Sequence, residues 1–443
     1  MVENSFYSTE VTQLSPTLFF DYVPQTPKPS MNSLFSLVMR TILITVLSVA
    51  VWANLPPVAC QTVSPAALEP PETTAQGDLT EASVAAGWIS LFDGESLFGF
   101  KSESKVDWKV VDGAITATDG RVGLLRTTSQ FSDFHLSLAF RADPKTNSGV
   151  FVRTSPKPKK VKKDCFEVNI APPDNPFPTG GIVGRQKAST SVAEHAGDWT
   201  QMQIVCLGDS VKVWVNGEQV NDLESDNPGR GFIGLQFNKG NIAFKNVFLR
   251  PLGLESMFNR KNLDGWDDSQ KGVSSFEVTE AGELKMISGR GQLESKKLLG
   301  DFVLQASCRT NAAGLNSGIF FRSIPGDLTN GYESQIQNQI HDGDPTKPVD
   351  CGTGGIFRRQ DARRVNAQDM KWFTKTIVAV GPHVSVWVNG YQVTDWTDKR
   401  KPHANPRKGL RLEAGSIILQ GHDPTTDILF GRIDARELSP RRN

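Results

Sequence analysis

VKVWVNGEQV occupies residues 211–220, and VSVWVNGYQV occupies residues 384–393. In the first, Val211, Val213 and Val215 alternate with Lys212, Trp214 and Asn216, the period of two that puts a valine face on one side of a strand. Asn-Gly follows, two residues that tolerate the positive φ a tight hairpin needs. Each stretch reads as a β-hairpin, and its recurrence 173 positions later reads as a duplication.

Matching segments extend in both directions. LFDGESLFGF (91–100) pairs with MFNRKNLDGW (257–266), and FSDFHLSLAFRADPKTNSGVFVR (131–153) pairs with LGDFVLQASCRTNAAGLNSGIFFR (299–322). CFEVNI (165–170) pairs with GYESQI (331–336), GGIVGR (180–185) with GGIFRR (354–359), and Trp199 with Trp372. GFIGLQFNKG (231–240) and GSIILQGHDP (415–424) close the two copies. The offset runs from 166 to 184 residues, far beyond a solenoid repeat of about 20–50. Two whole domains in tandem are predicted, at 87–252 and 253–443. Short alternating strands between Gly, Asn and Asp turns, with no long amphipathic helix, predict an all-β chain of two jelly-roll β-sandwiches.

Composition narrows the function classes. Lys+Arg and Asp+Glu each number 48 in 443 residues, so the formal charge is zero. A nucleic-acid binder normally carries a basic excess, and no nucleic-acid partner is expected. Five cysteines without a C-x-x-C pair suggest neither a zinc ribbon nor a disulfide framework. The basic run PKPKKVKKD (156–164) reads as a solvated loop against that neutral background, with an acidic polysaccharide or lipid headgroup as the alternative contact.

Residues 1–53 are set apart from the fold. TILITVLSVAVWA (41–53) is apolar and follows Arg40. It is shorter than the roughly 20 residues of a membrane span and fits a signal-peptide core. Val51 and Ala53 suit the −3 and −1 sites of a signal-peptidase cut, and Met31 begins a more ordinary signal peptide than Met1 does. The alternatives are an uncleaved membrane anchor and lipid attachment at Cys60, although Pro57 stands where a lipoprotein signal usually has Leu. Export, to the periplasm, the cell surface or beyond, is expected. Residues 54–86, rich in Pro, Ala, Thr and Glu, read as a flexible linker.

The ordered motifs LFDG, N-S-G-[IV]-F-x-R, a Glu-bearing strand, G-G-I, Trp, VWVNG and LQ-x-H resemble the 3-keto-disaccharide hydrolase family over residues 88–440. That resemblance implies a concanavalin A-like jelly roll in each copy. It also implies cleavage of glycosides oxidised at C3, by elimination to a keto-glucal and rehydration. A C3 ketone acidifies the C2 proton; a base removes it, an enolate forms, and the C1 substituent departs. Such a site needs a base, an acid for the leaving oxygen, and an electrophile at the enolate.

In the second copy, Glu333, Gln335 and Gln337 share one strand face, which is poor core material but good lining for a sugar groove. His422 stands where the family usually has its histidine, and imidazole moves protons near neutral pH. Glu333 and His422 are the expected acid–base pair, with Arg322 or Arg358 as the electrophile. Each also has a structural reading: a solvent-facing Glu, an Arg in a structural ion pair, a His in a turn. His341, Asp342 and Asp344, together with His422 and Asp423, are ligand types suited to calcium, manganese or zinc. HDGDP is equally a good turn sequence, so no cofactor is certain and a divalent metal is the alternative. Trp214 and Trp387 stand opposite the valine faces, placed to stack on sugar or to pack. Packing is the favoured reading, with Trp387 kept as a candidate substrate contact.

The first copy departs from this pattern. Glu167, Arg153 and Arg185 match Glu333, Arg322 and Arg358/Arg359, but Asn238 takes the place of His422. Asparagine cannot shuttle a proton. The first copy is expected to bind carbohydrate or to brace the second, which is expected to act on an oligosaccharide or 3-keto-glycoside. The rival reading is a non-catalytic, lectin-like or adhesive protein, since jelly rolls host both.

Overall fold

The computed structural model describes residues 69–190, 197–226 and 228–442. The expected signal peptide, the Cys60 lipidation site and the first part of the linker lie outside the described residues. Residues 69–86, the rest of the expected linker, carry local structure. Thr73 bridges Leu79, and a helix spans Glu81–Ala85, where the Thr80 hydroxyl accepts from the Ser83 amide as an N-cap.

The second copy builds two antiparallel sheets. One has the order Ser275–Val278, Leu284–Ile287, Asp427–Glu437, Phe302–Thr310, Phe373–Val380, His383–Val388, Tyr391–Thr397, with Glu255–Ser256 added against Asp427–Glu437. The other runs Trp266–Asp267, Gly291–Leu299, Gly415–Gly421, Ser317–Ser323, Tyr332–Ile336. The first copy repeats both orders strand for strand, from Ile89 to Pro251. Identical strand orders confirm the duplication, and the chain is two tandem jelly-roll sandwiches.

The hairpins that opened the sequence form as expected. Asn216 and Gly217 have φ of 49° and 83°, and Asn389 and Gly390 have 49° and 76°, the left-handed pair that a type I′ turn demands. Val211, Val213, Val215, Val384, Val386 and Val388 are all buried in the cores between the sheets.

The two tryptophans diverge. Trp214 remains half-buried, whereas Trp387 is 1% exposed. Trp387 packs with the first sandwich's core, 6.4 Å from the Phe131 ring, and its Nε1 donates to the Ser90 carbonyl at 2.8 Å. This corrects the expectation of a sugar contact at Trp387: its face is covered by the other sandwich. Around it, Thr128 donates to Asp395 at 2.7 Å, Ser129 and Ser385 share a bond of 2.8 Å, and Arg363 pairs with Asp93 at 2.8 Å. The hairpin is a core element of its own domain and a docking element for its neighbour.

Candidate active site on the second five-stranded sheet

Tyr332 and Ile336 point into the second core, so alternation turns Glu333 and Gln335 onto the opposite face of that strand. Across the sheet, Glu333 stands opposite Phe320, which stands opposite Ile418 and then Glu294. One row along, Gln335 stands opposite Gly318, with Gln420 opposite Gln292 beyond it. Glycine at 318 is required by close approach. A Cβ there would meet the Glu333 Cγ and Oε1 at 2.8 Å. The Glu333 side chain therefore lies across Gly318, with amides around it.

Those amides carry unused acceptors. Gln335 Nε2 donates to Asn316 at 2.9 Å, but Gln335 Oε1 and Gln420 Oε1 are buried without a protein partner. Buried carbonyl oxygens ordinarily find a donor, and a sugar hydroxyl is a donor of the right kind. Gln337 is spent locally, its Oε1 accepting from the Gln339 amide. Glu294 is also spent, accepting from Ser416, Gln292 and the Gly326 amide.

Glu333 is 5% exposed, and burial raises its pKa above the ordinary carboxylate value. Arg407, His422 and Lys375 pull in the opposite direction by favouring the ionised form. Arg407 Nη2 donates to Glu333 Oε2 at 3.3 Å, while its guanidinium stacks over Phe320 and Phe357 at 5.2 and 5.6 Å. His422 joins Asp423 through Nδ1 at 2.8 Å and is 41% exposed. Solvent thus reaches the site over His422 and Arg407, the latter 30% exposed.

Arg407 was not among the residues expected from sequence. Trp214 and Trp387 differ by 173 positions but Gln236 and Gln420 by 184, so the second copy carries extra chain between hairpin and closing strand. That loop is fastened by Arg400, which pairs with Asp398 and donates to the Pro406 and Gly409 carbonyls. Tyr332 ties it down by donating to Asp398 at 2.9 Å and accepting from the Arg411 amide at 2.8 Å. The widening offset was the available signal.

The expected electrophile Arg322 is elsewhere, which is a correction. It is 1% exposed, pairs with Asp301 at 2.8 Å and donates to the Gly300, Gly381 and Arg411 carbonyls. Arg153 is held the same way by Asp133, Ser132 and Gly208, which corrects its substrate-binding expectation too. Asp301 also pairs with Arg230 of the first sandwich at 2.6 Å, and Asp133 with Arg436 of the second at 2.7 Å. The two motif arginines brace reciprocal Arg-Asp-Arg links between the sandwiches.

Arg358 is exposed, stacked over Phe357 at 5.0 Å on the rim of the site. Arg185 is taken up by Ser225 and the Lys162 carbonyl and stacks over Phe166. His341 lies in a turn that Asp344 and Thr346 close, and Asp342 and Asp344 both face Lys347. Among the described residues no three His, Cys, Asp or Glu groups converge as a metal site, so the donor set does not fit the metal considered at His341 and Asp342.

The first sandwich offers a reduced version. Glu167 lies beside Gly149 and accepts from Gln236 Nε2 at 3.2 Å. Burial pushes its carboxyl up to about 7, opposed only by that hydrogen bond. Asn169 donates to the Phe177 carbonyl. Among the described residues no arginine pairs with Glu167, and Asn238 replaces the histidine.

A family model for the 3-keto-alpha-glucoside-1,2-lyase-like domain matches residues 87–250 and again 253–433. No curated protein matches. Two solved structures from Parabacteroides distasonis, provisionally described as glycosyl hydrolases, are similar to this chain. One is 22% identical with a TM-score of 0.37, covering 40% of this chain and 99% of that one. The other is 28% identical with a TM-score of 0.33, covering 37% and 99%. A carbohydrate binding module from Bacillus subtilis is 14% identical, with a TM-score of 0.28, covering 34% and 95%. The matched residues make up most of the sequence and both of its sandwiches, and the chain belongs to the family of the 3-keto-alpha-glucoside-1,2-lyase-like domain, as a carbohydrate-active protein that carries the domain twice.

Proposed function

We propose that the second sandwich is an enzyme acting on 3-keto-glycosides at the face over Gly318. The observation that carries this reading is the buried Glu333 carboxylate that accepts from Arg407, with His422 close enough to influence it and the unpartnered Gln335 and Gln420 oxygens beside it. The ionised Glu333 takes the C2 proton and becomes the acid. The C2–H electron pair forms the enolate, whose oxygen at C3 is met by the Arg407 guanidinium in place of Arg322. Collapse of the enolate forms the C1–C2 double bond and expels the C1 oxygen, which takes a proton from the His422 imidazolium. Hydration reverses the sequence with water as the nucleophile. A carboxyl raised by burial is a stronger base than an exposed one, which suits removal of a carbon-bound proton. Gln335 and Gln420 orient hydroxyls through their free acceptors.

Export of the chain, with attachment through an N-terminal anchor or lipid, remains the companion proposal; its support is the apolar run at 41–53. The catalytic reading is tested by incubating the protein with 3-keto-glucosides and their unoxidised parents in heavy water. Deuterium at C2 and an unsaturated ketone product from the 3-keto substrates alone support it. Binding of both sugars with neither product nor exchange would favour the lectin-like reading.

A further inference from the structure

Lys375 is fully buried in Phe373–Val380, on the sheet facing the one that carries Glu333. Its Nζ donates to the Ser334 carbonyl at 2.9 Å and to the Gln335 carbonyl at 2.8 Å. Both acceptors belong to the strand whose opposite face presents Glu333 and Gln335. An ammonium inside a sandwich carries a heavy desolvation cost, and the fold does not require it. With Trp199 aligned on Trp372, the first sandwich has Met202 at this position, 0% exposed.

We propose that Lys375 is a positioning residue for Glu333, gripping its strand from beneath and supplying a positive charge where the first sandwich buries Met202. The catalytic consequence rests on the reading of Glu333 given above; the electrostatic coupling itself does not.

The surroundings of the ammonium favour this role. Cys308 and Cys351 are its other titratable neighbours, and burial pushes both thiols up to about 12, so they are neutral at physiological pH. Glu333 is then the anion that Lys375 can serve. Burial pulls the ammonium down to about 8, with Cys308, Cys351 and Glu333 opposing. Glu333 in turn faces Arg407 from the 399–413 loop, His422 from the end of Gly415–Gly421, Lys375 from below, and Cys351. In the first sandwich, Glu167 has no cation among its pKa-shifting partners. The lysine is thus one of the charge partners, beside Arg407 and His422, that Glu333 has and Glu167 lacks. Its two carbonyl bonds also fix the register height of the strand, so the Glu333 side chain stays over Gly318.

The test reads carboxylate titration by carbon NMR of glutamate-labelled full-length protein, not turnover. Lys375→Met, the residue that the first sandwich buries here, should raise the Glu333 titration and leave Glu167 unmoved. The reciprocal Met202→Lys should lower the Glu167 titration, which keeps the proposal open to refutation where Lys375→Met does not fold. Where neither variant folds, Lys375→Arg serves, and should hold Glu333 near its native titration. A Glu333 titration unchanged in Lys375→Met, an unmoved Glu167 in Met202→Lys, or a Lys375→Arg protein titrating as if the charge were absent would each overturn it. A shifted titration with turnover indifferent to Glu333→Gln would retain the coupling and remove the catalytic reading.

Discussion

Arg407 donates to Glu333 at 3.3 Å across 74 residues of sequence, from extra chain that the first sandwich lacks. The same carboxylate face exists in both copies, and this guanidinium is the clearest difference between them. Arg407→Ala should raise the Glu333 titration, because the partner that favours the ionised form is gone. It should also lower kcat by about 10²–10³, the usual loss when one donor to a developing oxyanion is removed. A pH–rate profile of the variant checks both, the limb set by Glu333 moving to higher pH.

Arg322 should behave otherwise. Its guanidinium is spent on Asp301 and three backbone carbonyls, so Arg322→Met is expected to cost about 3 kcal/mol of stability through the broken buried pair. Turnover per folded molecule should be unchanged. Urea unfolding beside steady-state kinetics separates the two effects.

Trp387 should report on the contact between the sandwiches. Trp387→Ala removes a large buried ring and its bond to Ser90, a loss of about 3–5 kcal/mol for a core aromatic. Calorimetry should show the unfolding transition lowered and split, since the deleted ring belongs to the second sandwich's hairpin and packs in the first one's core. Trp214→Ala, on a half-buried ring, should cost less.

Glu167 gives a pH dependence of defined sign. Its folded pKa of about 7 lies above the ordinary glutamate value of 4.5, so folding favours the protonated form. The native state is therefore penalised as pH rises from about 4.5, and the penalty levels off above about 7. Glu167→Gln removes that penalty. Its stability gain should be near zero at pH 4, grow across that window to a few kcal/mol, and stay constant beyond it. Denaturant melts at pH 4, 6 and 8 measure the trend, and a gain that shrinks with rising pH would contradict it.

The fold was legible because its signals are local. Period-two valines and Asn-Gly turns state strand and hairpin within ten residues, and the repetition of whole motifs states the duplication. Alternation along Tyr332–Ile336 was enough to turn Glu333 away from the core, whereas His422 came from the family resemblance and lies just past Gly415–Gly421. Arg322 misled because a motif arginine beside a proposed site looks functional, while its actual role depends on Asp301 and on carbonyls from distant loops. Arg407 and Lys375 were missed because nothing local distinguishes them. One comes from a loop whose path depends on Arg400 and Tyr332, and the other sits in a strand where Met would serve the packing as well. For Trp387 packing was the favoured reading, but the core it packs with belongs to the first domain.

The most direct test compares Glu333→Gln with Glu167→Gln on a 3-keto-glucoside, following loss of the C2 proton. Loss of at least about 10²-fold in Glu333→Gln, with native turnover in Glu167→Gln, is the expected result. Turnover that survives Glu333→Gln and disappears in Glu167→Gln would place the chemistry in the wrong sandwich and contradict the account.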